Sequence, residues 1–450
     1  MYKPYASPVY KANKDVKLTE PKVSKTLFFF LKLVGRLYLF VFFGIARILL
    51  HGEEYLFDSF KRALEGKSRC IIAFRHPNGG EPQLLSWFFL FRLKSLARKS
   101  GVRFSRQPHA VFVYGYEVVR WGGWIARFIM PRLGAMPIHH TKLDREGMAR
   151  IYNAIIGGDY PLALAPEGQV SYTAESVPRL EQGTFRIGFS AAERMENKES
   201  DIPVEVLPLS IHFRFGSWGK LTLEGLIKKI ERFVFSDKSK KSEKYSFTER
   251  LERCREKVLE LNEARYSIQS DKNLKFEDRL DNVLEAALES AEKILRVKSE
   301  GDFFTRMYGL RQICWDRIVL PGVDTLDNLS RLERGTLDLR AGEAWYAGRH
   351  IELVDFCWYF RIPLPEENAP QHTKVEYCQN LWDFVSRTLG GAYHNRINIY
   401  PRRVIIQAAP PMNLSERLPA YRQDKKDTIK KAIDDLEKAY LFCIDDVNNM

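Results

Sequence analysis

The sequence predicts an α/β protein: a mixed, mostly parallel sheet flanked by helices, entered through an apolar N-terminal helix and followed by a mainly helical C-terminal domain. Three observations carry this expectation. Between residues 51 and 265, short β-type apolar runs alternate with helical stretches. Ahead of them, residues 26–50 form one long apolar segment. Beyond about residue 270 the apolar positions fall at helical spacing.

Residues 1–25, MYKPYASPVYKANKDVKLTEPKVSK, are polar, contain proline and are rich in lysine, and read as a basic tail with no cleavable signal. Residues 26–50, TLFFFLKLVGRLYLFVFFGIARILL, come next. Their longest charge-free apolar stretch, Leu37 to Ala46, is shorter than the roughly 20 apolar residues a spanning helix needs. At about 100° per residue, Lys25, Lys32, Arg36 and Arg47 fall within a sector of roughly 60°. The rest of the circumference is Phe, Leu, Val and Ile. Such a helix suits the headgroup region of a membrane, with its cations toward anionic lipid phosphates and its rings among acyl chains. A buried core helix and a tilted span with snorkelling cations are the competing readings.

Residues 51–265 read as one α/β domain. CIIAF (70–74), AVFVYGY (110–116), PLALAP (161–166) and VEVLPLSIHF (204–213) are the expected strands, with helices over 84–98 and 144–156. VFSDKSKKSEKYS (234–246) is a charged loop, closed by a capping box of Ser246 with Glu249. Residues 266–450 read as the helical domain. Phe276, Leu280, Leu284, Ala287, Ala291 and Leu295 share one face, and Ile429, Ile433, Leu436 and Tyr440 another. The strand-like run RRVIIQA (402–408) is expected to return to the first domain's sheet.

Composition bounds the function. With 450 residues, 45% of them hydrophobic, the chain can bury a real core. A net charge of +13 points to a polyanionic partner: nucleic acid, an anionic membrane surface or an acidic substrate. No nucleic-acid-binding module is recognisable, so none is expected as a partner. The six cysteines are scattered without a C-x-x-C pair, which fits a reducing compartment and argues against a zinc knuckle. No tightly spaced ligand set suggests a metal.

A histidine followed five positions later by a carboxylate occurs three times: His76 with Glu81, His139 with Asp144, and His350 with Asp355. At least two are incidental. Only His76 directly follows a buried strand and enters a Gly-Gly turn, where ligands bind in α/β sheets. The glycines let the chain fold back so that Glu81 reaches the ring. A second strand, LALAP, ends in Glu167 and Gly168 with Ser171 beyond.

Together and in this order, these stretches resemble the PlsC-type glycerolipid acyltransferases, whose best-known members acylate lysophosphatidic acid. HPNGGE stands for the family's histidine, four residues and aspartate, with Glu81 in place of the aspartate. APEGQVS matches Phe-Pro-Glu-Gly-x-x-Ser, with Ala165 for the aromatic and Glu167, Gly168 and Ser171 kept. VLPLSI around Pro208 matches the apolar–Pro–apolar strand. LGAMPIHH falls where Gly-x-x-Phe-Ile-x-Arg belongs, so His140 stands where the family has its phosphate-binding arginine. The resemblance covers roughly residues 26–265.

It implies a glycerolipid acyltransferase-like fold and acyl transfer from a thioester donor, acyl-CoA or acyl carrier protein, to a lysophospholipid hydroxyl, with no bound cofactor. His76 is the expected general base and Glu81 its orienter. Glu167, Gly168 and Ser171 would position the acceptor, with His140, Lys142, Arg145 and Arg179 toward its phosphate or that of coenzyme A. The lost arginine widens the acceptor class from 1-acylglycerol-3-phosphate to related lysophospholipids. RWGGWIARFIMPRLG (120–134) mixes Trp and Phe with Arg, a composition suited to membrane contact. The expected location is the cytoplasmic face of a membrane. The alternative is a non-catalytic lipid-binding protein of the same fold.

Overall fold

The structure, a computed structural model, describes residues 11–15, 19–118, 122–139, 144–216, 219–235, 244–298, 300–389 and 396–450. Arg120, Trp121, His140, Lys142 and part of the 1–25 tail lie outside them. The chain divides into two compact units. One is α/β and takes Leu18–Gly216 with Ile399–Met450; the other is helical and takes Ser217–Asn398 with the chain up to Lys17. The boundary therefore falls at 216/217 rather than at 265/266, and the last 52 residues belong to the α/β unit.

In chain order the α/β unit contains α1 (Lys25–Phe43), β1 (Ile45–His51), α2 (Glu53–Leu64), β2 (Arg69–Phe74), α3 (Glu81–Trp87), a π-helical turn (Phe88–Leu93) and α4 (Lys94–Lys99). β3 (Val111–Gly115), α5 (Gly123–Arg132), β4 (Met136–Ile138), α6 (Arg145–Gly157), β5 (Leu162–Leu164), α7 (Gly183–Glu196) and β6 (Val204–Phe215) follow. After the helical unit come β7 (Arg402–Ala408), β8 (Met412–Asn413), α8 (Leu418–Gln423) and α9 (Lys425–Asn448).

The sheet order is β1-β7-β6-β2-β5-β3-β4, with β8 also on β6. Strands β6, β2, β5, β3 and β4 are mutually parallel, whereas β7 is antiparallel to β6 and parallel to β1. Central strands of such a sheet are covered on both faces, which is why β2 and β5 read as unbroken apolar runs. In β2, Ile72 and Phe74 enter a core with α2 and α3, while Ile71 and Ala73 enter the opposite core with α6, α7 and α9. Pro208 lies inside β6 without breaking it. It falls between the segment paired with β8, Glu205–Val206, and the segment paired with β7, which starts at Leu209. Its missing N–H therefore costs no ladder bond on that side.

Two sequence expectations change here. The apolar segment 26–50 is helical only to Phe43; Gly44 ends the helix in the left-handed region and Ile45–His51 becomes β1. Arg47 is therefore on a strand and drops out of the helix's basic sector. At 19 residues α1 is long and apolar enough to cross a membrane by length and composition, about 28 Å at 1.5 Å per residue. The stripe at 427–441 lies in α9, within the α/β unit: Ile429, Leu436 and Tyr440 are buried with Phe185, Val204 and Val206.

In the helical unit, Ser246 and Glu249 form the expected reciprocal cap on Phe247–Arg265. Further helices span Gly219–Phe235, Phe276–Leu295, Phe303–Ile318, Arg331–Tyr359 and Gln371–Thr388. Its interior carries charge in pairs: Arg279 is forked onto Glu263 at 2.7 and 2.8 Å, and Arg250 onto Glu231 at 2.8 Å.

Candidate active site

β2 and β5 are parallel neighbours, so the loops leaving their carboxyl ends share one edge of the sheet. The loop after β2 carries Arg75, His76 and, at the first position of α3, Glu81. Gly79 takes φ 96°, a conformation closed to most side chains, and this turns the chain back on itself. The turn brings Glu81 Oε2 to 2.6 Å from His76 Nδ1, and the same oxygen accepts the N–H of Gly79 at 2.8 Å. Glu81 is fully buried, whereas the His76 side chain is 16% exposed. With Nδ1 held by the carboxylate, Nε2 is the ring nitrogen left for a further partner.

The loop after β5 is fastened to this one through the backbone of His76. The His76 N–H donates to Glu167 Oε2 at 2.8 Å, and the His76 carbonyl accepts from Ser171 N–H at 2.9 Å. Gly168, at φ 73°, makes the bend between them. Beneath lies Arg75, completely buried, donating Nε to Glu167 Oε1 at 2.5 Å and Nη2 to the carbonyls of Thr173 and Ser176 at 2.8 and 2.7 Å. Its guanidinium is 5.5 Å from the ring centre of Tyr440 on α9. The Tyr440 hydroxyl donates to the Ala73 carbonyl at 2.8 Å, and burial holds that phenol well above its usual range, so it stays protonated.

The sequence-predicted residues divide accordingly. His76 and Glu81 meet directly. Glu167, expected at the acceptor, has both oxygens taken by Arg75 and the His76 N–H, and so holds the backbone of His76. Ser171 is buried as well, with Oγ 3.3 Å from the Thr173 carbonyl, whereas Gly168 is exposed. Arg179 lies 3.9 Å from Glu181, whose side chain packs beside Gly168, so it stands at the rim. Arg145 is an exposed first-turn residue of α6, with no contact to His76 among the described residues. His140 and Lys142 are outside the described residues.

The other histidine–acid pairs are otherwise engaged. Asp144 caps α6 through the Gly147 N–H and accepts the backbone N–H of His139, whose ring stacks on Tyr116. Asp355 pairs with Arg311, and His350 with the Tyr266 hydroxyl. Ser210 Oγ and His212 Nε2 are 2.8 Å apart, but both residues are completely buried and unreachable by substrate.

Sequence reasoning missed three residues. Arg75 left a signal: a charge at the end of a wholly buried strand needs a buried partner. Arg402 left none, and Tyr440 showed only as a member of the apolar face of 427–441. Arg402, 3% exposed at the start of β7, donates to the Phe43 carbonyl at 2.7 Å and to Asn78 Oδ1 at 3.1 Å. It thereby joins the end of α1 to the His76 loop. The Phe43 ring closes over the same loop, so that a Cβ on Gly80 would collide with it. Outward from there, α1 exposes Phe29, Phe30, Leu33, Leu37, Val41 and Phe42. α5, joined to the start of α1 by the Ser24 N–H to the Arg132 carbonyl, exposes Trp124, Ile125 and Phe128.

Among the described residues no group of three or more His, Cys, Asp or Glu is placed to hold a metal ion. Comparison with protein-family models, curated proteins and solved structures returns no match to this chain.

Proposed function

We propose that this protein is a membrane-surface O-acyltransferase of the glycerolipid acyltransferase kind. It moves a fatty acyl group from a thioester, acyl-CoA or acyl carrier protein, to the hydroxyl of a lysophospholipid such as 1-acylglycerol-3-phosphate. The observation that carries this reading is the His76–Glu81 contact of 2.6 Å, at the carboxyl edge of the sheet and under the end of an apolar helix. The order of the sequence blocks adds to it.

The chemistry needs only what these residues supply. The acceptor hydroxyl meets His76 Nε2, which takes its proton as the oxygen attacks the thioester carbonyl. Glu81 fixes the tautomer with hydrogen on Nδ1 and balances the imidazolium that forms. The tetrahedral centre collapses with cleavage of the C–S bond, and the imidazolium returns its proton to the departing thiolate. A thiolate already leaves well, so no protein nucleophile is required.

The apolar faces of α1 and α5 suit a protein that takes lipid from a bilayer, on the cytoplasmic side where thioester donors are found. Thiol release by wild type and His76→Ala, from both donors against a panel of lysophospholipids, tests the reading. Acceptor-dependent release that the variant loses would support it. Silence across the panel with liposome binding intact would favour the non-catalytic lipid-binding alternative.

A further inference from the structure

The net charge of +13 is not spread over the chain. Residues 21–143 hold twenty Lys and Arg against six Asp and Glu, so this stretch, which contains α1 and the His76 loop, carries all of the excess. Within it, no acidic residue occurs between Glu81 and Glu117, while six cations do. Arg106 is paired with Asp159. Four of the others, Arg92, Lys94, Arg98 and Lys99, cluster on the π-helical turn and α4 with no acidic partner among the described residues.

These cations are placed beside the apolar helix. Lys94, Arg98 and Lys99 line an open groove of about 400 Å³ with Phe91 and Ser95. The Phe91 ring lies 6.2 Å from that of Trp87, and Trp87 packs so closely on α1 that a Cβ at Gly35 would collide with its indole. A basic groove is thus joined, through two aromatic rings, to a helix that turns Phe and Leu outward.

Unpaired cations close to a helix whose outer face exposes apolar side chains are complementary to one kind of surface, an anionic phospholipid bilayer. We propose that Arg92, Lys94, Arg98 and Lys99 form the headgroup contact that docks this protein on anionic membranes, beside the apolar insertion of α1. The inference deepens the proposed function by naming which residues meet the lipid, and it rests on that reading for its setting. α1 itself contributes little of this charge: Arg36 is committed to the carbonyls of Ile45 and Ala46 at 2.7 and 2.8 Å, leaving Lys25 and Lys32.

The test is vesicle flotation of the full chain, on phosphatidylcholine alone and on phosphatidylcholine with phosphatidylglycerol, at low and high salt. Wild type and the Lys94→Gln/Arg98→Gln/Lys99→Gln variant are compared. Three neutralised cations lower partition onto the anionic vesicles by about 100-fold at low salt, with little change on the neutral ones. The wild type's preference for anionic vesicles falls as salt rises, a result that stands even if the variant folds poorly. Equal partition of wild type onto both vesicle types, or an unchanged variant, would overturn the proposal. So would loss of thioester turnover by the variant in neutral detergent micelles, which would place the groove at a substrate phosphate. If wild type turns over no thioester yet floats as expected, the proposed reaction fails and the docking surface stands.

Discussion

His76 and Glu167 are joined through the backbone of the histidine, whose N–H donates to Oε2 at 2.8 Å. The glutamate's other oxygen is spent on Arg75, a side chain with no exposed surface. The position of the His76 backbone is therefore set by an ion pair that is wholly buried. Removing one partner of a buried pair strands the other charge, which costs far more than the pair itself contributes. Glu167→Ala is expected to lower unfolding stability by about 3–5 kcal/mol, measured by urea denaturation. A loss below about 1 kcal/mol would mean that Arg75 finds another partner, and that the pair does not set the loop.

His76→Ala is expected to abolish acyl transfer in a protein that still folds, with its melting temperature lowered because the buried Glu81 carboxylate loses its partner. Glu81→Gln keeps the shape but loses the charge that balances the imidazolium, and a fall of about 100-fold or more in turnover is expected. His139→Ala should leave turnover within a few-fold. A fatal His139→Ala with an active His76→Ala would place the base at His139.

Arg402 reaches two acceptors on separate segments, the Phe43 carbonyl and Asn78 Oδ1, with its guanidinium 4.5 Å from the Phe213 ring centre. Lysine offers a point charge and no planar fork. Arg402→Lys is expected to lower turnover about 10- to 100-fold through displacement of the loop, with thioester KM little changed. Unaltered turnover would show that the loop holds itself.

His109 supplies a pH dependence of stability. Its ring is completely buried between Phe28 and Tyr160, and Nε2 is 2.8 Å from the Leu133 carbonyl. Burial lowers its pKa from the ordinary 6.5 to about 4, partly opposed by that hydrogen bond. Between these values the unfolded chain binds a proton that the folded one does not. The contribution is thus intact above about pH 6.5 and is lost as pH falls toward 4, about 3 kcal/mol in all. In melts across this window, His109→Gln is expected to flatten the acid slope. An unchanged slope would assign the acid sensitivity to other groups.

The parts of the fold legible in the sequence are those decided by neighbours in the chain. β2 and β5 announce themselves because strands covered on both faces need apolar residues at every position. The Ser246–Glu249 cap and the His76–Glu81 contact span three and five residues, and a glycine turn or a helix start is enough to close them. Ile45–His51 was not legible: a short apolar run of Ile and Leu suits a strand or a helix equally until a partner strand is known.

What the sequence by itself determined is the α/β pattern, the dyad and the apolar helix, since periodicity and short-range geometry are written locally. Only the tertiary structure decided what holds the dyad in place. Arg75 meets Glu167 across 92 residues, Arg402 meets Asn78 across 324, and Tyr440 meets Ala73 across 367. Contacts of that span depend on which strands lie side by side, and β7 settles it by entering between β1 and β6 after the whole helical unit has intervened. The apolar run 402–408 announces a strand that returns to the sheet, but no local pattern says between which strands it enters, because its hydrogen bonds go to a backbone that looks alike in every sequence.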